Sequence, residues 1–213
     1  MRVLLANPPW LLDSLPGLAG VRAGSRWPHF TKLKNDGKSP SYAPFPFFLA
    51  VAAGELIAAG REVMLIDGVA EGSSLRDFYC RAAEFKPSII FIETSTPSFN
   101  YDIGVFRELR RLLPKAVLVS GGAHSPVFAA EHMRKSDVPD FWIAGEHERS
   151  LAALAAALES GASTDAVPGL MPRGGEFKAF AKCDCLDSLA PPPYDQLPVR
   201  NYSDPVCGLP SPQ

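Results

Sequence analysis

No stretch of this chain is apolar for long enough to cross a bilayer. The longest uncharged apolar run, Ala43 to Gly54, is ended by Glu55, whereas a membrane-spanning helix needs about 20 apolar residues. No signal peptide is expected at its start, because the apolar run Val3 to Ala6 meets Asn7-Pro8-Pro9. The expectation is a cytoplasmic protein without a membrane partner. An excess of charge of one sign is also missing. A net charge of −2 supplies no basic field for nucleic acid. Cysteine is scarce. Cys80, Cys183, Cys185 and Cys207 form no CxxC pair, and the Cys183-x-Cys185 spacing fits no common zinc site. Free thiols are the expectation.

Several ligand signatures are absent as well. There is no GxxxxGK[ST] to cradle phosphates. The spacing of Gly17, Gly20 and Gly24 does not match GxGxxG, and no strand directly precedes it. Asn7-Pro8-Pro9 lacks the clustered acids of a phosphoryl-accepting receiver. No Ser/Thr-rich loop follows the first strand to wrap a flavin phosphate. No side chain stands out as a general acid, base or nucleophile, and no catalytic residue is assigned.

What is present is enough apolar sequence for a full core, 46% hydrophobic against 21% charged. Short apolar runs alternate with helical patterns. Strands are expected over 2–6, 62–67, 88–92, 116–120 and 140–143, and helices over 43–59, from Ser74 to Pro87, and over 99–113, 126–134 and 148–159. Ser74-x-x-Asp77 has the form of a capping box. Pro44 and Pro46 would sit in the first turn of the 43–59 helix. The alternation predicts an α/β fold: a doubly wound, flavodoxin-like or Rossmann-like sheet of five parallel strands in the order 2-1-3-4-5. Gly169–Pro172 and Glu176–Phe180 around Arg173-Gly174-Gly175 read as a small hairpin, and the proline-rich stretch from Cys183 as an extended tail. The predicted organisation is an α/β domain over 1–165 with a long loop over 7–42, a hairpin extension over 166–182 and a linker over 183–213.

Open α/β sheets bind ligands beyond the carboxyl ends of their strands. Those ends carry Asn7-Pro8-Pro9-Trp10, then Glu93-Thr94-Ser95-Thr96-Pro97-Ser98, then Gly121-Gly122-Ala123-His124, then Gly145-Glu146-His147. Gly121 and Gly122 allow a bulky flat ligand to approach backbone, or mark a plain tight turn. The hydroxyls of Thr94, Ser95 and Thr96 suit a ligand tail, or serve with Ser98 as helix caps. In the long loop, Arg22, Arg26 and Trp27 either contact a ligand or partner domain, or form surface salt bridges.

Together these motifs resemble the N-terminal cobalamin (B12)-binding domain of B12-dependent radical SAM proteins. Gly20-Val21-Arg22-Ala23-Gly24-Ser25-Arg26-Trp27-Pro28 is similar to a segment in one branch of that family. Pro191-Pro192-Pro193-Tyr194-Asp195-Gln196-Leu197-Pro198 resembles the linker into its radical SAM barrel. The resemblance implies cobalamin as cofactor, with the corrin ring on the carboxyl edge and the nucleotide tail descending into the fold. Ser95, Thr96, Gly121 and Gly122 would then line the tail. Asn7, Glu93, His124 and Glu146 would lie near the ring, with Pro8, Thr94, Ala123 and Gly145 completing the cofactor-binding set. It further implies a 4Fe-4S cluster and S-adenosylmethionine in a downstream barrel, joined in cis, as in a methyltransferase or related radical enzyme. The chain contains no DxHxxG, so no histidine is assigned to cobalt and the cofactor is expected base-off. It contains no CxxxCxxC, so cluster chemistry is expected outside these residues, with the chain truncated before the barrel. The alternatives are a stand-alone corrinoid sensor and an unrelated flavodoxin-like protein with a small-molecule ligand.

Overall fold

The computed structural model describes residues 1–12, 15–22, 28–124, 126–176 and 179–204. Five parallel strands form the centre of the sheet: β1 (Arg2–Asn7), β4 (Glu62–Asp67), β5 (Ile89–Glu93), β6 (Val117–Gly121) and β7 (Phe141–Ile143). Their order is β4-β1-β5-β6-β7, the expected 2-1-3-4-5 winding. Continuous apolar strands such as Ile89–Glu93 are buried at every position, as befits a parallel sheet covered on both faces.

Among the described residues the sheet has six strands rather than five. The sixth, β8 (Leu170–Pro172), pairs antiparallel with β7 through Phe141–Pro172, Trp142–Met171 and Ile143–Leu170. The expected hairpin partner over 176–180 makes no pairing with it among the described residues. The physical reason lies in β7, which would otherwise expose a row of unpaired amides and carbonyls at the sheet edge. Leu170 and Met171 bury their side chains in closing it. A second small sheet, β2 (Leu18–Gly20) against β3 (Phe30–Lys32), lies within the long loop and was not expected.

The helices are α1 (Phe47–Ala58), α2 (Leu75–Phe85), α3 (Phe99–Leu112), α4 (Pro126–Lys135) and α5 (Glu148–Ser160). Helix α1 begins four residues later than the expected 43–59 span, because Ala43 is bridged to Ser203 in an antiparallel backbone pair. Ser74 and Asp77 do form a reciprocal capping box at α2. Gly161, with φ +69°, ends α5 in the left-handed conformation that favours glycine.

Two cores flank the sheet. On one face Val3, Leu5, Phe91, Val119 and Ile143 pack on α1 and α5. On the other, Leu4, Ala6, Ile90, Ile92 and Leu118 pack among α2 and α3 residues such as Phe78, Val105, Phe106 and Leu109. Successive strand residues point to opposite faces, so Asn7, Asp67, Glu93 and Gly121, two beyond Leu5, Leu65, Phe91 and Val119, all belong to the α1/α5 side.

Over residues 183–204 the C-terminal segment departs from the extended tail that its prolines suggested. It forms three short 3-10 turns at Leu186–Ser188, Tyr194–Gln196 and Val199–Asn201 and folds back as a strap over α1 and the β4 edge. Gln196 Oε1 accepts from the Leu65 amide at 3.0 Å, and Glu55 Oε1 accepts from the Ala190 amide at 2.6 Å. Tyr202 is fully buried, and its hydroxyl donates to Asp67 Oδ2 at 3.1 Å. Proline fixes φ without forbidding tight turns, so composition alone did not distinguish a strap from a free tail.

Candidate functional site

The carboxyl edge of the sheet is divided into a covered part and an open part. Above β1 and β4 the chain covers its own edge. Trp10, Ala19 and Val69 form a small buried cluster there with Tyr101, and the Tyr101 hydroxyl donates to the Pro9 carbonyl. Arg22 enters this region. Its Nη1 lies 2.8 Å from Asp102 Oδ1, and its guanidinium carbon is 5.7 Å from the Trp10 ring centroid. Arg22 is therefore neither a surface residue nor a residue of the open cleft. Arg26 and Trp27 lie outside the described residues.

Above β5, β6 and β7 the edge is open. A cleft of about 470 Å³ is lined by Glu93, Gly122, Ala123, Gly145, Glu146 and His147 from the strand ends, by Phe48 from α1, and by Phe180, Ala181 and Lys182. Its size falls in the range of small-molecule sites, and its walls are mainly apolar with a few polar groups. Backbone forms part of its lining. Gly122 adopts φ +109°, and a Cβ there would sit 2.8 Å from the Thr94 carbonyl oxygen. Gly145 adopts φ +92°, and a Cβ would sit 2.4 Å from the Ala181 carbonyl oxygen. These are close approaches that only glycine permits.

Two cleft residues carry buried polar atoms without partners. Glu93 is 3% exposed and its Oε2 has no hydrogen bond; His147 is 3% exposed and its Nε2 has none. Burial pushes the Glu93 carboxyl up to about 7. Arg22 pulls the other way, while Asp67 and Glu148 reinforce the rise. Burial pushes the His147 imidazole down to about 4, against the effect of a hydrogen bond with the Phe48 backbone. Its ring packs on Phe91 with centroids 4.6 Å apart. His147 is thus uncharged at neutral pH, whereas Glu93 is about half protonated there and mostly protonated below it. Buried polar atoms in folded proteins are almost always paired; here Asn7, Trp142 and Glu148, which do not line the cleft, carry unpaired ones as well.

Five of the twelve residues expected from sequence line this cleft: Glu93, Gly122, Ala123, Gly145 and Glu146. The others sit behind or beside it. Asn7 is fully buried at the end of β1, with both side-chain polar atoms unpaired, and Pro8 is buried next to it. Gly121 faces the core, where a Cβ would meet Ile143 O at 3.0 Å and the Phe91 ring at 3.1 Å. The hydroxyls are engaged within the protein. Thr94 Oγ1 accepts from Ser120 Oγ at 2.9 Å, Ser98 Oγ accepts from the Ser95 amide at 3.1 Å, and Ser98 Oγ donates to Asp102 Oδ2 at 2.7 Å. Ser98 occupies the N-cap of α3 without making a side-chain cap bond. Thr96 is exposed, and its Oγ1 is 3.2 Å from His124 Nδ1. His124 stacks on Phe99 with centroids 4.4 Å apart. Phe48, Phe180, Ala181 and Lys182 were not expected from sequence, and His147 was placed at this edge but left out of the cofactor-binding set. His147 directly follows Glu146 at a strand end and was legible by position. The other four depend on contacts between distant segments.

Among the described residues, no group of three or more His, Cys, Asp or Glu side chains could hold a metal ion, and no helix is long and apolar enough to cross a membrane.

No protein-family model matches the chain. An uncharacterized methyltransferase of Pyrococcus horikoshii is 28% identical over 167 residues, covering 74% of this chain and 35% of that protein. Among solved structures, the cobalamin-dependent S-adenosylmethionine radical enzyme OxsB, with aqua-cobalamin and S-adenosylmethionine bound, matches with a TM-score of 0.60 and 14% identity, over 86% of this chain and 22% of its own. The radical S-adenosylmethionine methyltransferase TsrM of Kitasatospora setae, with cobalamin and a 4Fe-4S cluster bound, matches with a TM-score of 0.53 and 18% identity, over 80% of this chain and 28% of its own. The chain thus spans 35% of the curated relative and 22–28% of these two solved chains. At these identities the structural likeness is one of fold: the chain has the α/β architecture found in part of two enzymes that bind cobalamin.

Proposed function

We propose that this chain binds cobalamin at the cleft above β5, β6 and β7, as the cofactor module of a B12-dependent radical SAM enzyme of the methyltransferase type or with related radical chemistry. The observation that carries the reading is the cleft itself. It lies at the carboxyl edge of a doubly wound sheet, is lined by the backbones of Gly122 and Gly145, and holds two buried, unpartnered polar atoms.

The residues fit the cofactor in kind. A whole corrinoid is larger than the cleft, so the cleft would take the base at the end of the nucleotide tail, while the ring would lie across the open rim. Phe48, Ala123 and Phe180 would supply apolar walls for the tail base, and Glu146 and Lys182 would stand at the rim. Thr94, Ser95, Thr96, Gly121 and His124 would act from behind, bracing the loops that shape the cleft. Asn7 and Pro8 would hold the adjoining edge. When bound, cobalamin supplies the cobalt-centred chemistry, and the protein supplies position and electrostatics. No histidine of this chain is assigned to cobalt, which accords with a base-off cofactor. The 4Fe-4S cluster, S-adenosylmethionine and catalytic residues would belong to a barrel joined in cis. Residues 1–165 would form the binding domain, 166–182 its extension and 183–213 the passage toward that barrel, with 183–204 serving also as the strap.

Incubation with hydroxocobalamin, followed by gel filtration and an absorbance spectrum, tests the reading. Corrinoid bands that travel with the protein are expected. Absence of uptake in every cobalt oxidation state, or flavin bands in the purified protein, overturns it.

A further inference from the structure

The cleft holds an unusual combination. Its walls are apolar and partly aromatic, yet Glu93 ends on the central strand with Oε2 unpaired and 3% of the residue exposed. Gly122 lies close to that side chain: a Cβ at position 122 would lie 3.0 Å from Glu93 Cγ. Two residues back on the same face of β5, Phe91 packs on the ring of His147, whose Nε2 is also unpaired. Such a cleft suits a flat heteroaromatic ring, apolar over its faces and polar at a ring nitrogen. It suits a ribose or phosphate less well, since those would leave the apolar walls unmatched.

Resting on the cobalamin reading above, we propose that Glu93 is the residue that captures the nucleotide base of the cofactor, its carboxyl O–H donating to the base nitrogen that cobalt releases, with His147 positioning the ring beside it. The carboxyl must be protonated to donate. The groups around it favour that state: Asp67 on β4 and Glu148 on α5 raise its proton affinity, and Arg22 from the loop over 7–42 lowers it. Glu146 and Lys182 also line the cleft. Burial dominates, and the proton is held up to about pH 7. In this account Glu93 does not touch cobalt. It selects corrinoids that carry a heteroaromatic lower base over those that lack one.

The test compares two probes on the full chain: methylcobalamin, which carries the base, and cobinamide, which lacks it. Wild-type protein is expected to bind methylcobalamin at least tenfold more tightly than cobinamide, with the absorbance spectrum of the base-off form. Glu93→Leu is expected to reduce that preference about tenfold or more, the scale of an unpaired buried hydrogen-bond partner. Glu93→Gln, which keeps an N–H donor of similar shape, is expected to retain most of it. A preference unchanged in Glu93→Leu overturns the proposal. So does a base-on spectrum in the wild-type protein, or a wild type that binds both probes equally. If the wild type takes up neither probe, the cobalamin reading itself fails, and the two failures are told apart. Should Glu93→Leu fold poorly, pH decides: the wild-type preference is expected to fall above about pH 7, where the Glu93 carboxyl loses its proton, while that of Glu93→Gln stays level, and a wild-type preference as level as that of Glu93→Gln overturns the proposal.

Discussion

Arg22 and Asp102 meet at 2.8 Å with their side chains 2% and 1% exposed. This ion pair joins the loop over 7–42 to helix α3 and closes the chain over the ends of β1 and β4. A charge pair removed so completely from water is costly to break from one side, because the remaining charge stays buried and alone. Burial raises the Asp102 carboxyl above its usual range, and Arg22 draws it back down.

The first prediction follows from that pair. Arg22→Met should lower unfolding free energy by about 3–5 kcal/mol, measured by denaturant titration. The double variant Arg22→Met/Asp102→Leu should recover most of the loss, since no lone charge remains. Equal losses in the single and double variants would show that the pair is not what holds the loop.

The second prediction separates two adjacent glycines. Gly121→Val should destabilise by about 1–3 kcal/mol, because its side chain would enter the core against Phe91 and the Ile143 carbonyl. Gly122→Ala combines a φ of +109° with a Cβ 2.8 Å from the Thr94 carbonyl oxygen, and should cost about 1–3 kcal/mol as backbone strain. Only the Gly122 variant, which alters the lining of the cleft, should change hydroxocobalamin uptake in protein that remains folded. Uptake that depends on Gly121 and not on Gly122 would contradict the placement of the cleft.

The third concerns pH. Burial raises the Asp67 carboxyl to about 6, partly opposed by hydrogen bonds from the Ala70 amide and the Tyr202 hydroxyl. A carboxyl whose folded pKa is raised contributes stability that is full below its ordinary pKa and is lost as pH rises through the folded value. Asp67 should therefore reduce stability progressively from about pH 4 to pH 6, by on the order of 3 kcal/mol. Asp67→Asn should flatten that slope in thermal unfolding. His147 acts in the opposite sense. Its lowered pKa contributes stability above its ordinary value near 6.5, lost as pH falls toward 4. A slope unchanged in Asp67→Asn would remove Asp67 from the account.

The fourth tests the strap. Tyr202→Phe removes one hydrogen bond to Asp67 and should cost about 1 kcal/mol. Tyr202→Ala empties a fully buried aromatic site and should cost about 3–5 kcal/mol. Denaturant titration reads both. A negligible cost for Tyr202→Ala would mean that the strap is not part of the cooperative unit.

The sheet was legible because its signals are local. Continuous apolar runs such as Ile89–Glu93, the Ser74/Asp77 cap and the Gly161 stop depend on near neighbours in the chain. Contacts between distant segments were not legible. Leu170–Pro172 joins the sheet because the β7 edge needs a partner, and the chain there carries no sign of which edge it will meet. The hydroxyls of Thr94 and Ser95 looked like ligand donors, yet Ser120 and Ser98, whose positions follow from tertiary packing, engage them. Glu93 and Gly122 could be placed at this edge because strand ends are fixed by the sheet. Phe48 and Phe180 reach the same cleft from segments far away in sequence.

Gly54 on α1 has a consequence for anyone dividing this chain. A Cβ at that position would lie 2.4 Å from the Pro191 carbonyl oxygen, so helix and strap touch backbone to backbone. A fragment trimmed at residue 165 or 182, where composition invites a cut, would leave that helix face bare and Asp67 without its tyrosine. Packing against the rest of the chain continues as far as Asp204, which is itself wholly enclosed.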